Sequence, residues 1–186
     1  MNKYWQNSIT FDAYIKETER RIAVQNPEDD HNEYYELGLQ RMNRTLKTFK
    51  IDEEQLNVLK SKNFNGKILI ISEPWCGDAS ATVPAVSKFF EAADIEVKIF
   101  LKDSDTSLIE QFLTNGTQSI PKILILDENF EVKNVWGPRP KFGNDLLKKF
   151  KENPETYPRE EFYNDLQVYY AKNRGKDAIT ELLELL

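Results

Sequence analysis

Hydrophobic residues along this chain switch between two spacings, and the switches mark out its elements. Near the N-terminus they recur every three or four positions: Phe11, Tyr14, Ile15 and Ile22 between Thr10 and Val24, then Tyr35, Leu39, Met42, Leu46 and Phe49 between Asn32 and Lys50. That period predicts two amphipathic helices, with Thr10 placed to cap the first and Asn26-Pro27-Glu28-Asp29-Asp30 separating them. Asp52-Glu53-Glu54-Gln55 has the form of a capping box and opens a third helix to about Lys62, with Leu56 and Leu59 facing inward.

After the turn signal Asn65-Gly66 the pattern changes. Lys67 to Ser72 is almost continuously apolar, as expected of a strand covered on both faces. Ala79 to Ala93 reads as a helix bent at Pro84, and Ile95 to Leu101 alternates as a second strand. Together they make a βαβ unit with a right-handed crossover. Asp105 is placed to cap a helix from Thr106 to Leu113, and the loop around it reads as capped and solvated rather than metal-binding. Lys122 to Leu126 and Phe130 to Trp136 read as strands joined by the hairpin turn Asp127-Glu128-Asn129. Gly137-Pro138-Arg139-Pro140 forms a rigid loop, and Phe142 to Lys151 is a further helix. The tail predicts two more, with Phe162, Leu166, Tyr169 and Tyr170 lining one and Ile179, Leu182, Leu183 and Leu186 the other, broken at Gly175.

The class is therefore α/β, a central mixed sheet flanked by helices. Residues 52–150 carry it, residues 1–51 add helices before it and residues 151–186 add helices after it. All three are expected to form one compact domain, whose terminal helices either cover the core or make a homodimer interface. Composition narrows the functions. A net charge of −6 disfavours general nucleic-acid binding. No apolar run approaches the roughly 20 residues that span a bilayer, and the terminal helix pattern carries Glu181 and Glu184, unlike a basic membrane-surface helix. Met1 to Ser8 lacks the apolar stretch of a signal peptide, and a lone thiol suits a reducing compartment, so a cytoplasmic protein is expected.

Candidate chemistry converges on Glu73-Pro74-Trp75-Cys76-Gly77-Asp78-Ala79, at the strand-to-helix junction. Cys76 is the only cysteine in 186 residues. A helix N-terminus presents free N–H groups and positive potential, which favour the reactive thiolate. A structural cysteine is the alternative, although Pro, Trp, Gly and Asp suit an exposed turn better than a core. Asp78 stabilises a first helical turn yet, near the sulfur, opposes ionisation of the thiol. Arg139 is the cation placed to offset Asp78 or to hold a substrate carboxylate. His31, the only histidine, reads as a solvated loop residue.

Trp75-Cys76-Gly77-Asp78 resembles the active-site turn of the thioredoxin superfamily, and Pro84, Ser119-Ile120-Pro121 and Gly137 fall where that family has a kinking proline, a cis-proline loop and a glycine beside the thiol. The resemblance spans about Asp52 to Phe150. With Trp-Gly-Pro-Arg-Pro downstream, it extends to a bacterial branch of thioredoxin-like proteins with a single-cysteine motif. It implies a thioredoxin-like fold, a cis bond before Pro121, and a groove formed by Trp75, Gly77, Asp78, Ile120, Pro121, Gly137 and Arg139, in which Ile120 offers its main chain to an extended peptide. The sequence also departs from the family. Ala79 stands where the family has its resolving cysteine, and Ile70 where it has a buried carboxylate. No intramolecular disulfide can form, so dithiol reductase chemistry is excluded.

Three functions remain. A monothiol redox enzyme would use Cys76 to exchange disulfides with a low-molecular-weight thiol or a client protein. A non-catalytic module would bind peptides or partner proteins in the same groove, with Cys76 incidental. A shared iron–sulfur cluster is weaker, since one cysteine per chain supplies too few ligands. No metal or cofactor is expected.

Overall fold

The computed structural model describes residues 1–186. A short helix α1 (Asn2–Gln6) leads to α2 (Phe11–Val24), whose N-cap Thr10 accepts a hydrogen bond from the Ala13 amide. Helix α3 (Asn32–Thr48) turns Tyr35, Gly38, Met42 and Thr45 inward. Asp52 caps α4 (Glu53–Ser61) through the Glu54 and Gln55 amides. Strand β1 (Lys67–Ser72) then runs into α5 (Gly77–Glu91), which begins two residues before the expected start because Cys76 itself takes the N-cap position. The chain continues through β2 (Val97–Leu101), β3 (Lys122–Leu126), β4 (Val132–Trp136), α6 (Lys141–Glu152), α7 (Arg159–Asn173) and α8 (Lys176–Leu185).

The four strands form one mixed sheet in the order β2-β1-β3-β4. Strand β1 lies parallel to β2 and antiparallel to β3, and β3 is antiparallel to β4. Ile68 to Ile71 and Ile123 to Leu126 are buried on both faces, which explains their unbroken apolar runs. Nearly every residue of α5 is buried, because this helix is sandwiched among β1, α3 and α8. Ile9 pairs with Ile99 through two main-chain hydrogen bonds and so covers the edge of β2. Ala178, Ile179, Leu182 and Leu183 of α8 join the main core, while Phe162, Leu166 and Tyr170 of α7 pack with Tyr157 and Ala81 in a smaller one.

One expected element differs. Thr106 to Leu113 is not an α-helix: 3-10 turns at Lys102–Ser104 and Ile109–Phe112 replace it. Ser107 and Asp105 bond locally, with the Ser107 amide donating to the Asp105 carboxylate, which favours a turn over a continuous helix. No helix is long and apolar enough to cross a membrane.

Candidate functional site

Leaving β1, Glu73-Pro74-Trp75 carries the chain over the end of the sheet and delivers Cys76 to the start of α5. The Cys76 thiol donates to the carbonyl oxygen of Ile120 at 3.3 Å. The Ile120–Pro121 peptide bond is cis. Gly137 closes on the same loop from behind: a Cβ there would stand 2.3 Å from the Pro121 carbonyl oxygen, and its φ of 117° belongs to glycine. The Lys122 ammonium donates to the Gly137 carbonyl at 3.3 Å.

The thiol is not easily ionised, contrary to the expectation from its helix-terminal position. It is 8% exposed. Burial pushes its pKa up to about 12, and the charge of Asp78 pushes the same way. The Ala79 and Asp78 amides and Arg139 oppose both, but withdrawal from water outweighs them. The favourable end of the helix is present; the solvent that a thiolate needs is not.

Asp78 is likewise more than a solvated first-turn acid. Its Oδ1 accepts from the Tyr170 hydroxyl at 2.7 Å and its Oδ2 from Arg139 Nη2 at 2.6 Å. With both oxygens accepting, the group is a carboxylate. Burial favours its neutral form, and Arg139 and Tyr170 oppose that. Burial also works against the charge on Arg139, yet Asp78 beside it more than offsets this and holds the arginine protonated. The anchor Tyr170 comes from α7, far along the chain.

Beneath the turn sits a second buried carboxylate. Glu73 is 0% exposed. Its Oε2 accepts from Arg21 Nη1 of α2 at 2.9 Å and its Oε1 from the Asp103 amide at 2.7 Å. Arg21 also bonds Glu17 and the Tyr35 hydroxyl. Asp103 in turn accepts from Trp75 Nε1 at 2.8 Å. The indole is held on one face by His31, whose ring stacks at 4.3 Å with planes 12° apart. His31 is thus a neighbour of the site, not a solvated loop residue, because the start of α3 lands on the Cys76 turn.

These elements enclose a cavity of about 910 Å³. Of the residues expected to form the groove, Trp75, Cys76, Gly77, Asp78, Ile120 and Arg139 line it, whereas Pro121 and Gly137 lie behind the wall as supports. The remaining wall was not legible beforehand. Helix α3 and the residue before it contribute His31, Tyr34, Leu37, Gly38 and Arg41, and α7 contributes Arg159, Tyr163, Leu166 and Gln167. The one sequence signal was Glu73, a charge at the end of an apolar strand and before a proline. Tyr170 sits inside a helical stripe that periodicity assigns to packing, and Arg41 lies beside one.

Gly38 allows α3 to approach this closely. A Cβ on it would stand 2.5 Å from the Pro74 carbonyl oxygen, a backbone atom that cannot swing aside. Gly38→Ala is therefore expected to destabilise the fold by about 1–3 kcal/mol, read from urea unfolding. An unchanged midpoint would mean that α3 does not press on this turn. No group of three or more His, Cys, Asp or Glu side chains is arranged to hold a metal ion.

Among curated proteins none matches the chain. Two solved structures resemble it in fold. A crystal structure of an HIV epitope-scaffold aligns with a TM-score of 0.65 at 17% identity, over 99% of this chain and 95% of its own. A protein of unknown function from Pseudomonas aeruginosa aligns with a TM-score of 0.57 at 18% identity, over 96% of this chain and 91% of its own. A thioredoxin family model matches residues 25–151, which include α3 as well as the sheet and the cysteine turn. With a strand-to-helix Trp-Cys turn facing a cis-proline loop on a four-stranded mixed sheet, and a family match over most of its length, the chain belongs to the thioredoxin family.

Proposed function

We propose that this protein, a single-cysteine member of its family, exchanges disulfides through Cys76 with small sulfur compounds or with client proteins that carry them. The observation that supports this reading best is the position of the sulfur, at the wall of a large cavity and 3.3 Å from the main chain of the residue before Pro121. In the first step Cys76 Sγ attacks one sulfur of a disulfide. A new S–S bond forms, the old one breaks, and the departing thiolate takes up the proton that Cys76 gives up. A second molecule of small thiol then attacks the attached group, forming a free disulfide and returning Cys76 as a thiol. The external thiol is required because no second cysteine exists.

A thiol raised to about 12 and bonded to Ile120 favours a second reading, a binding module in which Cys76 only packs. Intact-mass measurement separates the two. Incubation with a small disulfide should add one half-disulfide to the wild type, removable by excess thiol, and add nothing to Cys76→Ser. Wild-type protein that stays unmodified over hours would leave the binding module.

A further inference from the structure

The cavity beside Cys76 carries more positive than negative side chains, although the chain as a whole is acidic. Arg41, Arg139 and Arg159 face Asp78 and Glu160 there. Arg139 is already committed to Asp78. Arg159 stands at the mouth, exposed, over the ring of Tyr163. Arg41 is different. It is half-buried, and no carboxylate of the chain lies within ion-pair distance of it. Burial and the neighbouring Arg44 both disfavour its charge, opposed by Asp78. None of its nitrogens is buried without a partner, so water solvates the guanidinium in the free protein, and it keeps its proton regardless.

Its location is informative. Arg41 Nη1 lies 3.3 Å from the point where a Cβ on Gly77 would be. The guanidinium therefore stands against the residue next to the reactive sulfur, and glycine at 77 leaves it room. Two polar atoms here are buried without a hydrogen-bond partner in the protein, Arg139 Nε and Gln167 Oε1. One is a donor and the other an acceptor, and both belong to residues of the cavity wall. The volume of about 910 Å³ lies within the range of small-ligand sites, roughly 300–1,000 Å³, and its walls come from two helices outside the sheet.

We propose that this cavity selects a small disulfide bearing a carboxylate close to its sulfur, with Arg41 taking the carboxylate in a two-pronged hydrogen bond while the sulfur meets Cys76. The inference rests on the exchange reading above and narrows its substrate to acidic, cysteine-like compounds. Gln167 Oε1 would accept from an amino or amide N–H of the same ligand. The bonds exchanged are those already given; Arg41 binds and orients but takes no proton.

The test compares two probes on the full chain: cystine, which has a carboxylate near each sulfur, and 2-hydroxyethyl disulfide, which is uncharged. The rate of adduct formation at Cys76 is followed by intact mass. Wild type should react with cystine at least about tenfold faster, and in Arg41→Leu the ratio of the two rates should fall towards one. Arg41→Lys, a single positive point without the fork, should keep part of the preference. Equal rates in the wild type, or a preference that survives Arg41→Leu, would overturn the proposal. If neither disulfide reacts, exchange itself is wrong, and S-methylcysteine binding by calorimetry decides the acidic site alone: binding lost in Arg41→Leu upholds it and absence of wild-type binding rejects it. Preference for a peptide whose cysteine is already in a disulfide over both probes would assign the cavity to a protein client instead.

Discussion

Arg21→Met is expected to destabilise the protein by about 3–5 kcal/mol at neutral pH, the largest single effect among these residues. The reason is Glu73. Its carboxylate is wholly buried and relies on Arg21 Nη1 and one backbone amide. Methionine keeps the apolar stem of the arginine but leaves the carboxylate without its cation. Burial already favours protonation of Glu73, and loss of Arg21 strengthens that tendency. The sign with pH follows. A carboxyl whose folded-state pKa is raised contributes fully below its unfolded value and loses that contribution as pH rises through the folded value. The deficit of Arg21→Met should accordingly be larger at pH 8 than at pH 5, as read from urea unfolding at both. Adding Glu73→Gln should recover part of it, since an amide tolerates burial without a cation. A loss below about 1 kcal/mol, or one independent of pH, would show that water reaches Glu73.

The second large effect concerns the thiol. With its pKa near 12, Cys76 offers about three-thousandfold less thiolate at neutral pH than an unperturbed cysteine near 8.5. Higher intrinsic nucleophilicity at higher pKa returns roughly half of this on a logarithmic scale, and the net expectation is an alkylation rate one to two orders of magnitude below that of a free thiol. Unfolding in urea should restore the normal rate. Burial does most to raise the thiol, and Asp78→Asn removes the charge that adds to it and frees the cation on Arg139, so the thiol pKa should fall and alkylation accelerate. A folded wild type that alkylates as fast as free cysteine would show that the sulfur is solvated, and an unchanged rate in Asp78→Asn would remove Asp78 from its control.

Both effects depend on contacts between distant parts of the chain, and they bear on what a member of this family does with one cysteine. The burial that quiets the thiol comes from the same packing that builds the cavity. Helices α3 and α7 stand over Cys76, and the Arg139–Asp78–Tyr170 group ties α7 to the first turn of α5.

Local periodicity determined most of the elements. Eight strand and helix signals from Thr10 to Trp136 fall within a few residues of their observed places because each is set by which side chains face a core. The exception, Thr106 to Leu113, is short and rich in groups that bond their own backbone, so its conformation followed from packing. Composition alone excluded a dithiol cycle, since one cysteine cannot make an internal disulfide. The motif pointed to Cys76, Asp78 and Ile120 as neighbours before any coordinates.

Only the tertiary structure decided how these groups behave. A thiol at a helix N-terminus is driven one way by the backbone and the other by loss of water, and the second depends on residues far along the chain, such as Ile120, whose carbonyl it meets. Arg41, His31 and Gln167 carry no local sign of a site, because a polar residue outside the apolar stripe reads as solvated whether it faces water or a cavity. Charge and burial are properties of the assembled neighbourhood, and spacing along a chain records just the part of that neighbourhood that is close in sequence.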